Sequence, residues 1–194
     1  MNYQDVIEEW RKIVEDFFAA KGHIFEKVVS LTVESLGEGH KILIFGNGGS
    51  AAQAQHFAAE LVNKFLKERA PLRAISLTTD TSALTSIAND TSFNYVFSRQ
   101  IEALGDKEDV AIGLSTSGNS PNVIEAIKVA KERGLLTVAF TGKGGGKLHS
   151  LVDCLLDVPS ESTPRIQEVH ILLLHLLAHE IEKKVGSEKS GVRS

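Results

Sequence analysis

Two short loops carry the residue types that binding an anion would need. Gly46-Asn47-Gly48-Gly49-Ser50-Ala51 directly follows the apolar run KILIF and directly precedes a helical stretch. Glycines there let the backbone approach a ligand closely, and the free amides at the positive end of the helix dipole suit an anion. The loop also fits G-x-G-x-x-A, the dinucleotide fingerprint, but that use needs an acidic residue about twenty positions on. The candidate, Asp80, comes 34 residues after Gly46, which argues against a nicotinamide cofactor, and no G-x-x-x-x-G-K-[ST] motif is present for a nucleotide triphosphate. The second loop is Ser115-Thr116-Ser117-Gly118-Asn119-Ser120-Pro121, with Ser120 placed as N-cap and Pro121 at the first helical position. One cap does not require Ser115, Thr116 and Ser117 as well. The loop therefore reads as a phosphate site of amides and hydroxyls, which needs no basic patch. A third polar stretch, Thr78 to Ser82 with Asn89 and Asp90 further on, offers groups to a polyhydroxyl ligand, although such residues also make ordinary turns.

His56 and Glu60 are four apart on the helix after the glycine loop and so share a face. That suits two ligands to one metal, a paired acid and base, or simply a solvated helix side. The last helical stretch adds Arg165, Gln167, Glu168, His170, His175 and His179. A histidine on a buried helix is usually a hydrogen-bonded core residue, and His170 and His179 are read that way; His175 is kept as a functional candidate.

The elements that must position these residues follow from hydrophobic spacing. The chain has 194 residues, and 21 Lys and Arg against 25 Asp and Glu give a formal charge of -4. No global positive field draws it to nucleic acid or anionic lipid. No apolar run approaches the ~20 residues of a membrane span, and MNYQDVIEEWRK lacks a signal-peptide core; a cytoplasmic chain with no membrane or nucleic-acid partner is expected. Residues 2–37 show helical spacing, with a kink expected near Gly22. Five short apolar runs then alternate with helical stretches: KILIF, LRAISL, DVAIGLS, LLTVAF and VDCLLDV. Their continuity predicts parallel strands covered on both faces, hence a single α/β domain with a five-stranded parallel sheet between helical layers. Helices are predicted over 50–65, 82–104 with a break near Asn89, 121–133 and 165–184, with Ala54, Phe57, Ala58, Leu61, Val62 and Phe65 facing the core from the first of these. The domain spans 1–194: an N-terminal helix region at 1–37, a core at 41–185 and a frayed tail at 186–194. From Val169 to Ala178 the last helix is apolar nearly all round, which predicts packing against other subunits. The lone Cys154 lies in an apolar run and reads as buried core.

With GNGGSAAQAQHFAAEL, STSGNSPNVIEAI and RIQEVHILLLH in view, the chain resembles the sugar isomerase (SIS) domain family, and within it the bacterial phosphoheptose isomerase branch. The resemblance implies a flavodoxin-like fold and a homotetramer with active sites between subunits. The implied reaction interconverts sedoheptulose 7-phosphate and D-glycero-D-manno-heptose 7-phosphate, the first step toward ADP-heptose and surface carbohydrate. It implies Zn2+ held by His56, Glu60, Gln167 and His175, with Glu60 and His175 as the proton-transfer pair. It places Ser115, Thr116, Ser117 and Ser120 on the phosphate, and Asn47, Gly48, Gly49, Ser50, Glu60, Asn89, Asp90 and Gln167 on the substrate. Gln167 and His175, eight residues apart, are separated by ~12 Å along a straight helix. If both bind one ion, either the helix begins irregularly near Gln167 or one ligand comes from a neighbouring subunit. A noncatalytic tetramer of the same family, which binds the replication initiator DnaA, is the alternative; Glu60 and His175, both present here, favour the enzyme.

Overall fold

The computed structural model describes residues 2–189. Helix α1 (Tyr3–Gly37) opens the chain, its first turn capped by the Asn2 side chain, which accepts from the Gln4 amide at 3.1 Å. It is one unbroken helix through Gly22, where glycine adds no break. Then follow β1 (Ile42–Gly46), α2 (Gly49–Val62), β2 (Ala74–Ser76), α3 (Thr81–Asp90), α4 (Ser98–Leu104), β3 (Val110–Ser115), α5 (Pro121–Glu132), β4 (Leu136–Thr141), β5 (Cys154–Asp157) and α6 (Thr163–Lys189). Short 3-10 turns at Phe93–Tyr95 and Gly146–Ser150 punctuate the series. All strand pairs are parallel, in the order β2-β1-β3-β4-β5.

Because successive strand residues face opposite ways, the two sides of the sheet build separate cores. Ile42, Ile44, Ile112 and Val138 pack with α1, α2 and α6, whereas Leu43, Phe45, Ala111 and Ala139 pack with α4 and α5. The expected five-stranded α/β sandwich is therefore present, and Cys154 is buried in the first core. Among the described residues no helix is long and apolar enough to cross a membrane.

Several expectations need correction. Helix α2 stops at Val62, not near 65, and Val62 faces solvent at 49 % exposure. Strand β2 has three residues and lies at the sheet edge, so its Ile75 is exposed instead of covered. The segment 82–104 splits, as anticipated near Asn89, into α3, a 3-10 turn and α4. Helix α6 continues to Lys189; the rest of the tail expected to fray, residues 190–194, lies outside the described residues. Within the chain α6 buries Val169, Leu173, Leu174, Leu177, Ala178 and Ile181, while Ile171, Leu172 and Leu176 are only half-covered. His170 is fully buried and meets the Thr141 carbonyl at 3.1 Å, as a core histidine should. His179 is not a core residue: its side chain is 43 % exposed, beside Glu180.

Candidate active site

The strand order reverses direction between β1 and β3, and ligands of open α/β sheets bind beyond the carboxyl ends of strands at that point. Both candidate loops leave there, since Gly46 pairs in register with Leu114, one residue before Ser115. The two loops are tied together: the side-chain amides of Asn47 and Asn122 exchange hydrogen bonds of 2.9 and 2.8 Å. Asn122 is a residue that sequence reasoning missed, although its position two residues after Ser120, at the head of a helix, was a usable signal. Gly48 (φ +55°) turns the chain into α2, and Ser50 is buried behind it. Gln167 lies against Gly49, where a Cβ would come within 2.7 Å of its Nε2. Gln53 Nε2 also donates to the Gln167 carbonyl at 2.7 Å, docking the first turns of α6 onto α2. Helix α6 is regular through Gln167, which removes the irregular start considered above.

In the second loop Ser115 is buried and its Oγ lies 2.9 Å from Ser120 Oγ. Ser120 holds the N-cap position, with Pro121 following, but its hydroxyl makes no capping bond; it turns to Ser115 instead. Ser117 Oγ accepts from the Asn119 amide at 3.1 Å, and Thr116 contributes its carbonyl to the Gly142 amide. Gly118 (φ +65°) packs so tightly on the Gly145 carbonyl that no Cβ fits between them. The third polar stretch serves mainly local structure. Asp80 caps α3 through the Ala83 amide, and Thr79 donates to the Ser76 carbonyl. Asn89 and Asp90 are exposed at the far end of α3, ~14 Å along its axis from Asp80, and bond each other.

His56, Glu60 and His175 converge. His56 Nε2 is 3.1 Å from Glu60 Oε1 and 2.8 Å from His175 Nε2, and one ligand atom from each of the three lies within 4.8 Å of the others. Their spacing on α2 gives the first pair, and the packing of α6 on α2 brings the third. Phe65, just past the end of α2, stacks on the His175 ring at 5.7 Å and 26°. Two imidazole nitrogens and a carboxylate oxygen are the donor set that zinc takes, so the cluster fits such an ion. Gln167 is held two helical turns away on the glycine loop of its own chain. A second histidine and carboxylate group, Glu38, His40 and Glu108, sits at the amino ends of β1 and β3, opposite to where this fold binds ligands.

A parallel sheet with this switch-point loop pair and a histidine and carboxylate cluster between its flanking helices α2 and α6 is the architecture of a sugar-phosphate-binding domain. Residues 5–142 match the SIS domain family. Phosphoheptose isomerase 1 of Campylobacter jejuni is 56 % identical over 176 residues, covering 91 % of this chain and 94 % of that protein. The solved phosphoheptose isomerase of Neisseria gonorrhoeae superposes with a TM-score of 0.87 at 44 % identity, covering 93 % of this chain and 97 % of that one. That of Francisella tularensis gives 0.84 at 33 % identity, covering 94 % and 100 %. The chain belongs to the SIS domain family, in its phosphoheptose isomerase branch.

Proposed function

We propose that the chain is an aldose-ketose isomerase interconverting sedoheptulose 7-phosphate and D-glycero-D-manno-heptose 7-phosphate, a cytoplasmic step that supplies heptose for surface carbohydrate. The observation that carries this reading is the meeting of Glu60 and His175 across the packed helices α2 and α6, with the glycine loop of the switch point at the head of α2. Moving a carbonyl between carbons 2 and 1 needs a base for a carbon-bound proton and an acid at the carbonyl oxygen. The Glu60 carboxylate takes the proton from carbon 1 while His175 supplies one to the oxygen on carbon 2, which gives an enediol. Loss of the proton on oxygen 1 and return of a proton to carbon 2 complete the aldose. Ser115, Thr116, Ser117 and Ser120, with the amides at the head of α5, hold the phosphate and so fix the reacting end. Asn47, Gly48, Gly49 and Ser50 line the sugar, to which Asn89, Asp90 and Gln167 also contribute.

His56, Glu60 and His175, with Gln167, would hold zinc, which supplies polarisation of substrate oxygens when bound. Gln167 sits too far along α6 to join His175 of its own chain at one ion, which supports ligands shared between subunits. The half-covered Ile171, Leu172 and Leu176 on α6 and the 47 % exposure of the His56 side chain support closure by neighbouring chains in a homotetramer. The test is incubation of purified protein with sedoheptulose 7-phosphate, with and without chelator and added zinc, followed by detection of the aldose. Formation of the aldose is expected; no turnover under any metal condition overturns the reading.

A further inference from the structure

Helix α2 ends where tertiary groups take over its backbone. Arg69 donates to the carbonyls of Glu60 at 2.7 Å, Leu61 at 2.8 Å and Asn63 at 3.4 Å, acceptors at the end of the helix, and to that of Ala70 at 3.0 Å; Leu61 accepts from the Leu72 amide as well. Directly afterwards the chain bends into a nest of three backbone amides. Those of Phe65, Leu66 and Lys67 donate to the Glu182 carboxylate of α6 at 3.0, 2.8 and 2.9 Å. Arg69 Nε stands 3.4 Å from Glu182 Oε1, and both side chains are buried, at 5 % and 2 % exposure. Burial pushes the Glu182 carboxyl up, but the three amides and the Arg69 charge outweigh it, so the group is held below the usual carboxylate range.

The outcome is the placement of one aromatic ring. The neighbours of Phe65 in this turn, Lys64, Leu66, Lys67 and Glu68, are exposed, yet Phe65 itself turns inward and lies nearly parallel to His175. Glu182 is seven residues beyond His175, two turns along the same face of α6. One helix therefore carries both the imidazole and the carboxylate that anchors the ring covering it. The torsion that sets an imidazole plane is broad, so neighbours must fix it.

We propose that Phe65 is a positioning residue that sets the plane of the His175 ring, and that the buried Glu182–Arg69 pair serves this by holding the turn that carries Phe65. The proposal rests on the isomerase reading, in which the orientation of the His175 ring decides proton transfer. Two readouts test it on the full-length protein: steady-state kinetics with sedoheptulose 7-phosphate, and histidine ring resonances of chelator-treated, 13C-histidine-labelled protein, assigned against His175→Gln. In Phe65→Leu the His175 resonances should lose the upfield displacement from the stacked ring. The kcat should fall about 10- to 100-fold, the cost of misplacing a reacting group, with KM nearly unchanged. Phe65→Tyr should restore both readouts. Glu182→Gln, if its circular dichroism matches the parent, should shift both in the same direction as Phe65→Leu. A Phe65→Leu protein with parental kcat and unmoved resonances overturns the proposal alone, as does a Phe65→Tyr variant as impaired as Phe65→Leu. A parent protein inert toward the sugar phosphate overturns the isomerase reading, and the catalytic consequence of Phe65 with it.

Discussion

His56 and His175, 119 residues apart in the chain, bring their Nε2 atoms to within 2.8 Å, with the rings inclined at 61°. Glu60 Oε1 lies 3.1 Å from His56 Nε2, and one donor atom of each of the three residues is within 4.8 Å of the others. The contact exists because Gln53 binds the Gln167 carbonyl at one end of the α2–α6 packing and Glu182 binds the turn after α2 at the other. The three side chains are thus held between two polar anchors.

Glu60→Gln keeps the shape of the side chain and removes the base. Turnover of sedoheptulose 7-phosphate should drop by about 10² to 10⁴, the usual worth of one positioned proton-transfer group. The circular dichroism spectrum and the unfolding midpoint should stay within error of the parent. A variant that retains most of its activity removes Glu60 from the mechanism.

Zinc should stabilise the parent by binding the folded chain alone, raising Tm with metal concentration as mass action requires. His56→Ala, His175→Ala and Glu60→Ala should each lose most of that rise and lower the zinc content of the purified protein. Differential scanning fluorimetry and elemental analysis check this without reference to activity. An equal rise in the parent and all three variants would mean that the ion binds elsewhere.

Ser120→Ala removes a hydroxyl that does not cap its helix. Helix α5 should therefore be undisturbed, but the buried Ser115 hydroxyl loses its partner, so Tm should fall by a few degrees. Deleting one hydrogen bond to the anion costs on the order of 1 kcal/mol, so KM should rise about five-fold. Inorganic phosphate should compete less well against the variant by a similar factor.

His170 gives the fold a pH dependence of known sign. Burial drives its pKa down from 6.5 to about 4, only partly opposed by the Thr141 carbonyl, and its Nδ1 is buried with no partner. Below pH 6.5 the unfolded chain takes up a proton that the folded chain refuses. Stability should fall as pH drops from about 6.5 to about 4, by about 3 kcal/mol in total from this residue, and be unaffected by it above 6.5. Urea unfolding midpoints measured across that range should slope less steeply in His170→Gln. Parallel slopes would assign the pH dependence to other groups.

Much of this was legible beforehand. Short continuous apolar runs separated by helical spacing are enough to specify a covered parallel sheet, and four-residue spacing alone put His56 and Glu60 together. What could not be read depends on long-range contacts. The apolar periodicity of α2 runs on through Phe65, yet the helix stops at Val62 because Arg69 takes its last carbonyls and Glu182 the amides beyond. Local rules made Ser120 a hydroxyl cap, and Ser115, five residues back, claimed that hydroxyl. His179 carries a residue type often buried on an apolar helix, but its angular position faces it outward. The meeting of His175 with α2 required knowing how α6 lies, which no local pattern encodes.

The abutment of Gly118 on the Gly145 carbonyl fuses the serine-rich turn to the following glycine run. The two cannot be redesigned one at a time: any side chain introduced at 118 forces its partner strand-end to be rebuilt in the same step. Attempts to enlarge or reshape the anion cradle by directed evolution should therefore yield improved sequences only as paired changes across both segments.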